Sequence, residues 1–206
     1  MARSPKVVYQ FKITLQEIDP PVWRRIQIPA TYDFWQFHVA IQDAMGWLDY
    51  HLHSFELTQK FRRKPTVIGI PDPDWNDPPT IPGWTVKVTD VFQELGQRMT
   101  YNYDFGDGWR HEILFEGMLL PSSDTKYPVC LAGGGACPPE DCGGPSGYEE
   151  MLTILKTGKG KAFQEMKDWL EHHQKCYWPF DPRAFDPASV RFDNPKKRFK
   201  TAFKKG

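Results

Sequence analysis

The sequence predicts an α+β fold in which a mainly antiparallel or mixed β-sheet packs against helices. Residues 7–15 alternate between apolar and polar side chains, which is the period of a half-buried strand. Residues 99–115 alternate in the same way on both sides of a Gly-Asp-Gly turn. Other segments carry apolar residues every three or four positions, which is the period of a helix. Strands joined by short turns and packed on helices are typical of this class.

The first strand is expected to return as a hairpin. Residues 17–21 include two prolines and form the turn, and residues 22–28 read as the second strand, less regular than the first. Arg24 and Arg25 are both expected to be exposed on it. Residues 53–58 are a further short strand candidate.

A helix is predicted to begin at Asp33. The Asp33 carboxylate can cap the free N–H groups of the first turn, and Gln36 occupies the capping-box position. Gly46 is expected to end the helix. The apolar stripe of this helix consists of Phe34, Phe37, Ile41, Met45 and Leu48. The order of hairpin, helix and strands is also how a β-grasp fold begins.

The middle of the chain is less regular. Residues 71–83 contain five prolines and are predicted to form a long loop. Trp84, Val86 and Val88 alternate with polar residues and predict a strand. Residues 90–95 are predicted to form one helical turn.

The hairpin at residues 99–115 is the clearest element. A three-residue turn at residues 106–108 would place Tyr103 opposite His111 and Asp104 opposite Arg110. An exposed cross-strand ion pair of this kind contributes roughly 0.2–1 kcal/mol.

The last third is predicted to contain a loop, a helical pair and a basic tail. Residues 128–147 form a loop rich in Gly, Pro and Cys, after which Ser146 caps a helix. A second helix follows Gly160. We therefore expect a single domain over residues 1–193 and a flexible basic tail over residues 194–206, whose final eleven positions include six Lys or Arg.

Charge and hydropathy exclude some classes of protein. The 206 residues are 40% hydrophobic, which is enough for a core, and 26 basic residues balance 26 acidic ones. A strongly basic nucleic-acid-binding domain would not balance in this way, so any charge-driven function must be local. No stretch approaches the ~18 apolar residues of a membrane-spanning helix, and residues 1–8 lead into no signal-peptide core. We expect a cytoplasmic protein without membrane contact.

Three cysteines predict a zinc site. Cys130, Cys137 and Cys142 lie within thirteen residues, and zinc takes four N or S ligands in a tetrahedron. In a reducing compartment such thiols are expected to be free or bound to metal, not disulfide-bonded. His111 is the preferred fourth ligand, with alternatives His53, His51 and Cys176. The competing interpretation is that these are ordinary thiols in a rigid loop.

The remaining histidines and acids have structural explanations as well as functional ones. His51 and His53 would point the same way in a strand and could supply two ligands. His111 lies on an apolar face and also fits a core histidine bonded to backbone. The acids near turns are Asp104, Asp107, Glu140 and Asp141, and turns favour Asp for local reasons.

Four segments together resemble the plasmid pRiA4b ORF-3-like family, which is also described as the TnpR-type passenger protein of an insertion-sequence element. They read VWRRIQIP, DFWQFHVAIQDAMGWLDYHLHSFEL, YNYDFGDGWRHEI and CLAGGGACPPEDCGGPSGYEEML, in order, between residues 7 and 155. The resemblance implies a compact α+β domain of prokaryotes and their mobile elements, and it implies no established reaction.

Two functions follow as hypotheses. The first is a non-enzymatic binding or interaction module, stabilised by zinc, with weak nucleic-acid contact through its basic tail. The second is a small metal-dependent hydrolase or nucleic-acid-processing enzyme that uses the histidines and Asp104 or Asp107. An open coordination position filled by water would favour the second.

Overall fold

A computed structural model of the chain describes residues 6–58, 64–72 and 79–203. Residues 1–5, 59–63, 73–78 and 204–206 lie outside the described residues, and they include part of the proline-rich segment and the end of the basic tail. Within the described ranges, no helix is long and apolar enough to cross a membrane.

One mixed sheet of eight strands forms the centre of the described structure. The strands are β1 (Val8–Leu15), β2 (Trp23–Pro29), β3 (His53–Leu57), β4 (Thr66–Gly69), β5 (Thr80–Pro82), β6 (Arg98–Tyr103), β7 (Trp109–Leu119) and β8 (Val129–Gly134). Their order across the sheet is β5-β4-β3-β6-β7-β1-β2-β8. All neighbours are antiparallel except β4 and β5. The predicted α+β class with a mixed sheet is confirmed. β1 runs antiparallel to both of its neighbours, β2 and β7, so the β-grasp resemblance extends to the order of elements only.

Five helices accompany the sheet in the described ranges. They are α1 (Phe34–Met45), α2 (Val88–Val91), α3 (Gly144–Thr157), α4 (Lys161–His172) and α5 (Pro195–Phe203). Helices α3 and α4 pack against each other, as the predicted helical pair requires.

Helix α1 has the ends that the sequence predicts. Asp33 accepts a hydrogen bond from the Gln36 backbone N–H, and the Gln36 side chain accepts one from the Asp33 N–H. Gly46 follows the last turn with φ of 90°, a left-handed conformation that glycine adopts without strain. Helix α1 is buried on nearly every side, because the sheet covers one face and later segments cover the other.

Aromatic side chains fill the core between α1 and the sheet. Phe11, near the middle of β1, contacts the rings of Phe37, Phe92 and Phe115 at centroid distances of 4.6, 4.9 and 5.3 Å. Each aromatic pair contributes about 0.5–1.5 kcal/mol beyond area burial. The packing fixes the inward face of β1, β3, β6 and β7.

The 99–115 hairpin forms, but its register differs from the prediction. Tyr103 pairs with Trp109 and Tyr101 with His111, so the connection spans residues 104–108 and the Asp104–Arg110 pairing is wrong. The Asp104 side chain caps the turn, which ends the strand before it. The displacement is two residues, so the alternation of faces is preserved.

Two other regions differ from the prediction. Residues 83–85 form a 3-10 turn and α2 begins at Val88, where a strand was predicted. The Asp90 side chain accepts from the Lys87 N–H at 3.1 Å and so favours a helical turn. The proline-rich loop also contains β5, which pairs in parallel with β4.

The cysteine-rich segment is more regular than a loop. Its first part is β8, the edge strand, which pairs with β2. Gly133 is required there, since a Cβ atom at that position would overlap the Phe185 ring. Helix α3 begins at Gly144 after Gly143, so Ser146 lies inside the first turn and is not the cap.

The segment predicted to be a flexible tail forms helix α5 over Pro195–Phe203. Phe199 and Phe203 lie against the Trp35 ring of α1, at centroid distances of 5.5 and 5.2 Å. Aromatic residues four positions apart share one helix face. Through this face the segment packs against α1 despite its many basic residues.

Candidate functional site

Loops from three parts of the chain meet at one end of the sheet. They are residues 46–52 after α1, residues 104–108 between β6 and β7, and residues 135–143 between β8 and α3. The Trp47 indole N–H donates to the Pro138 carbonyl oxygen at 2.9 Å, and the Gly143 N–H donates to Asp107 Oδ2 at 3.2 Å. Loops positioned by a rigid sheet are where proteins commonly carry binding side chains.

Each loop contributes one side chain to a cluster of His51, Asp104 and Asp141. His51 Nε2 lies 3.0 Å from Asp141 Oδ1 and 3.5 Å from Asp104 Oδ2. The three potential ligand atoms all lie within 4.8 Å of one another. Asp104 is buried, whereas the Asp141 side chain is 55% exposed, so the cluster is open to solvent on one side.

The hairpin turn fixes the orientation of Asp104. Its Oδ1 accepts hydrogen bonds from the Gly106 N–H at 3.0 Å and the Asp107 N–H at 3.3 Å. Its Oδ2 is thereby left facing His51.

Asp104 and Asp141 both have a left-handed backbone conformation. Asp104 has φ of 55° and Asp141 has φ of 57°. A non-glycine residue in this region costs of the order of 1–3 kcal/mol, and such residues cluster at functional sites. Asp tolerates the conformation better than most residues, so the strain is small but falls on two members of one cluster.

The His51 Nε2 atom is buried and has no hydrogen-bond partner. It is near both carboxylates, yet neither contact has the direction of a hydrogen bond. No Lys or Arg of the described residues forms an ion pair with Asp104 or Asp141. The cluster therefore combines two carboxylates lacking a basic Lys or Arg partner with one unsatisfied ring nitrogen.

The separations fit a common metal ion. Ligand bonds of about 2.0–2.2 Å in a tetrahedron or octahedron put neighbouring ligand atoms about 3.0–3.5 Å apart. The two measured separations from His51 Nε2 are 3.0 and 3.5 Å.

Glu140, beside Asp141, ties the loops together. It is 1% exposed, and its carboxylate accepts from the Tyr103 hydroxyl at 2.5 Å and from the Leu48 N–H at 2.7 Å. The Tyr103 hydroxyl also accepts from the Tyr50 N–H at 3.1 Å. Glu140 thus joins the end of β6 to the loop that carries His51.

The two histidines of the HxH pair do not share a site. β3 begins at His53, so His51 precedes the strand and faces the cluster, whereas His53 points into the core. The His53 ring stacks on His38 with centroids 3.4 Å apart, and burial together with the His38 charge holds the pKa of His53 well below its usual value. His38 bonds Asp49 Oδ1 and the Tyr101 hydroxyl, each at 2.8 Å.

The structure does not gather the four residues predicted to bind zinc. Among described residues, His51, Asp104 and Asp141 are the group of three or more potential ligands within mutual reach. His111 is fully buried in β7 with Nδ1 3.2 Å from the Tyr101 carbonyl oxygen, the backbone-bonded core histidine considered as an alternative. Cys130 lies in β8, and burial raises the pKa of both Cys137 and Cys142 to about 12. Zinc binding by the cysteines stays a prediction.

Hydrogen bonds hold residues 131–147 in place. The backbone of β8 pairs with β2, Pro138 and Glu140 bond to the 46–52 loop, and the Ala136 N–H donates to the Pro182 carbonyl oxygen at 3.1 Å. The entropy of ordering this glycine-rich segment is therefore opposed by bonds spread along its length.

Burial of His111 predicts a pH dependence of stability. Burial lowers the pKa of His111 to about 3, whereas an unfolded histidine titrates near ~6.5. The unfolded chain therefore binds a proton that the native protein does not, and the free energy of unfolding should fall as pH drops below that value, by at most about 1.4 kcal/mol per pH unit.

Replacing His111 by leucine keeps the volume and removes the titration. Between pH 7 and 4.5, the free energy of unfolding measured with urea should depend less steeply on pH in the variant. The difference in slope should correspond to the uptake of about one proton fewer on unfolding. The same measurement on the exposed His172→Gln variant is the control. Parallel pH profiles for wild type and His111→Leu would refute this account.

A cavity of about 500 Å³ adjoins the cluster on the open face of the sheet. Asp104 lines both the cavity and the cluster, and Arg110 and Asn102 provide polar groups. The exposed side chains of Leu52 and Phe105 are also among its lining residues. The cavity is large enough for a small ligand.

The sequence analysis names all three cluster residues, and its hydrolase hypothesis combines the histidines with Asp104 but leaves Asp141 out. His51 was one of several fourth-ligand alternatives, and Asp104 and Asp141 were explained as turn residues. Each lies in a different segment quoted for the family resemblance. The usable signal was an acid next to glycine-rich turns in two of those segments.

Comparisons with known proteins agree with the resemblance. The profile of the family described as plasmid pRiA4b ORF-3-like protein matches residues 7–189. The chain is 37% identical over 163 residues to the uncharacterized protein y4hQ of Sinorhizobium fredii, covering 79% of this chain and 80% of that protein.

A solved structure has the same fold. The crystal structure of MM3350, a protein of unknown function from Methanosarcina mazei Go1, matches with a TM-score of 0.79 and 38% identity. The match covers 92% of this chain and all of that one.

Proposed function

Since this chain belongs to the plasmid pRiA4b ORF-3-like family, whose two relatives above carry no assigned activity, we propose a function from the geometry of its own loops. The protein is a binding module that holds one divalent cation at His51, Asp104 and Asp141. The observation that carries the proposal is the buried His51 Nε2, which lies 3.0 and 3.5 Å from two carboxylate oxygens and has no hydrogen-bond partner.

Charge supports a cation at this position. Two carboxylates close together repel each other, and an opposite charge between them favours their ionised forms. A divalent ion would match two carboxylates and a neutral imidazole, and it would accept the lone pair of Nε2. The competing arrangement is a protonated His51 that pairs with both acids and binds no metal.

The donor set indicates which ions to test. One imidazole nitrogen and two carboxylate oxygens suit zinc, manganese and ferrous iron, whereas Cu(I) prefers thiolate ligands. The cation would join the loop after α1, the hairpin turn and the loop before α3. That role fits a non-enzymatic module whose binding surface depends on loop order.

The metal prediction is testable with protein purified without a histidine tag and stripped with EDTA. Titration with Mn²⁺ or Zn²⁺, read by calorimetry and elemental analysis, should give one ion per chain. Asp104→Asn and His51→Ala should each weaken binding at least ~100-fold, since each removes a direct ligand and outer-shell partners alone are worth 10–100-fold.

Two control variants make the result specific. Asp124→Asn, an exposed acid in another turn, should bind like wild type. Cys137→Ser should also bind like wild type. Loss of the ion in Cys137→Ser with retention in Asp104→Asn would move the metal to the cysteines and overturn the proposal.

A metal-dependent hydrolase is the second candidate, favoured by the open side of the cluster and the adjoining cavity. Three protein ligands leave a coordination position for water, as in catalytic zinc sites. The test is hydrolysis of bis(p-nitrophenyl) phosphate and p-nitrophenyl acetate by Mn²⁺- and Zn²⁺-loaded protein. Turnover that disappears in Asp104→Asn would support it, and metal binding without turnover would favour the binding module.

Weak nucleic-acid contact through the basic segment also stays a prediction. Lys196, Lys197 and Lys200 are exposed on α5, where they are free to meet phosphates. Such contact would weaken steeply with salt.

A further inference from the structure

Arg24, on β2, is a buried cation without an acidic partner. It is 1% exposed. Its Nε–H donates to the Ala44 carbonyl oxygen at 2.9 Å, and Nη1 donates to the carbonyl oxygens of Trp23 and Gly134 at 2.9 and 3.0 Å. The Phe185 ring covers the guanidinium at 3.5 Å from Cζ to the centroid. The side chain is therefore held rigidly by neutral groups.

The charge of Arg24 has no counterion among the described residues. No carboxylate of these residues lies within 4.0 Å of it, and its Nη2 has no acceptor there. Burial lowers the pKa of Arg24, and the groups that act in the opposite direction are the thiols of Cys137 and Cys130. A buried charge is strongly unfavourable unless an opposite charge compensates it. The prediction that Arg24 is exposed is wrong, because its side chain is buried.

Arg24 lines the wall of a cleft of about 1170 Å³. The cleft lies between the end of α1, residues 136–137 and the segment from residue 175 to α5. Lys175 lies on the same cleft, with its ammonium group against the Gly46 carbonyl oxygen. Both Arg24 and Lys175 lie close enough to the Cys137 thiol to pull its pKa downward against the larger effect of burial.

The acids of the cleft are already engaged. Asp43, Asp49 and Asp193 form ion pairs with Arg198. The remaining two accept backbone hydrogen bonds: Asp181 from the Arg183 N–H and Asp186 from the Ala188 N–H, each at 2.9 Å. Among the described residues, Arg24 and Arg191 bond carbonyl oxygens and pair with no acid. Lys175 forms no ion pair with a described residue within 4.0 Å; burial lowers its pKa, and the charges of Glu140 and Asp43 oppose that shift.

We propose that this cleft binds a small organic oxyanion, with a phosphate or carboxylate group placed against Arg24 Nη2 and the Lys175 ammonium group. The rest of the ligand would lie on the apolar part of the wall, which includes Trp47, Tyr177, Phe180 and Phe185. An apolar wall combined with charged groups that orient the ligand is typical of small-molecule sites, and the charged residues that line this cleft are four cations and five aspartates. The site is separate from the His51 cluster and does not depend on a metal there.

The test uses inorganic phosphate and benzoate as probes on the full chain at constant ionic strength. Proton–nitrogen NMR spectra should show saturable shifts at the Arg24 Nε–H and at the Gly46 amide. Saturation by phosphate identifies a phosphate group as the ligand chemistry, and saturation by benzoate identifies a carboxylate on an apolar body.

Lys175→Gln should weaken the binding of the responding probe at least ~5-fold, because it removes one of two charges that pair with the anion. Lys159→Gln, an exposed lysine after α3, is the matched control and should bind like wild type. The Lys175 variant is preferred to one at Arg24, whose three backbone bonds support the fold. Absence of saturable shifts at Arg24 with both probes, or equal weakening by the two lysine variants, would overturn the proposal.

Discussion

Replacing Glu140 by alanine should lower the free energy of unfolding by about 4 kcal/mol, because buried polar partners left unsatisfied cost about 1–3 kcal/mol each and a charged acceptor is lost. The Tyr103 hydroxyl and the Leu48 N–H would both lose the carboxylate that accepts from them. Tyr103 also stacks on Trp47 at 4.9 Å, so the disturbance should reach the loop that carries His51. Urea unfolding followed by tryptophan fluorescence measures the change.

Glu140→Gln separates charge from shape. The amide keeps an acceptor for the Leu48 N–H and can donate to the Tyr103 hydroxyl, so we expect roughly half of the loss. Glu150→Ala, an exposed acid on α3, should be within about 0.5 kcal/mol of wild type. A loss below about 1 kcal/mol for Glu140→Ala would mean that this carboxylate does not hold the loops.

Deleting residues 195–206 should also destabilise the protein by about 4 kcal/mol, by exposing aromatic surface and leaving buried carboxylates unpaired. Arg198 forms ion pairs with Asp43 and Asp49, whose side chains are only 6% and 11% exposed. The Trp35 indole N–H donates to the Pro195 carbonyl oxygen at 3.0 Å and would lose this partner. Thermal and urea unfolding of the shortened chain measure the loss.

Point variants locate the source of that loss. Arg198→Met should account for about 2 kcal/mol, since it leaves two partly buried acids unpaired. Lys197→Met, its exposed neighbour, is the control and should have little effect. An unchanged unfolding transition after the deletion would contradict this account and support the flexible tail that the sequence predicts.

Local patterns in the sequence predict those parts of the fold that local forces determine. The Asp33 capping box, the stop at Gly46 and the inward face of the 99–115 hairpin all depend on residues within a few positions of one another. The register of that hairpin was wrong because a side-chain cap, from Asp104, ends the strand before the glycine turn.

Elements that depend on distant partners escaped prediction. β8 looks like a loop until β2 is beside it, since glycines are disfavoured in strands unless another chain segment approaches closely. Helix α5 looks like a solvated tail until Trp35 is there to receive its phenylalanines. Arg24 looks exposed because alternation does not reveal carbonyl groups contributed by Ala44 and Gly134.

The candidate site illustrates the same limit. Its histidine and two aspartates are 53 and 37 residues apart in sequence, as the positions of His51, Asp104 and Asp141 give. The cysteines are close in sequence and suggested a metal for that reason. The three residues of the candidate site are close in space because the sheet brings their three loops to the same end.

The most direct test of the central claim is a crystal of the protein grown with Mn²⁺ and measured for anomalous scattering. We expect one peak about 2.0–2.3 Å from His51 Nε2, Asp104 Oδ2 and Asp141 Oδ1, and no peak there in Asp104→Asn. A map with no peak at these three atoms, or a peak bound by Cys130, Cys137 and Cys142, would contradict the account.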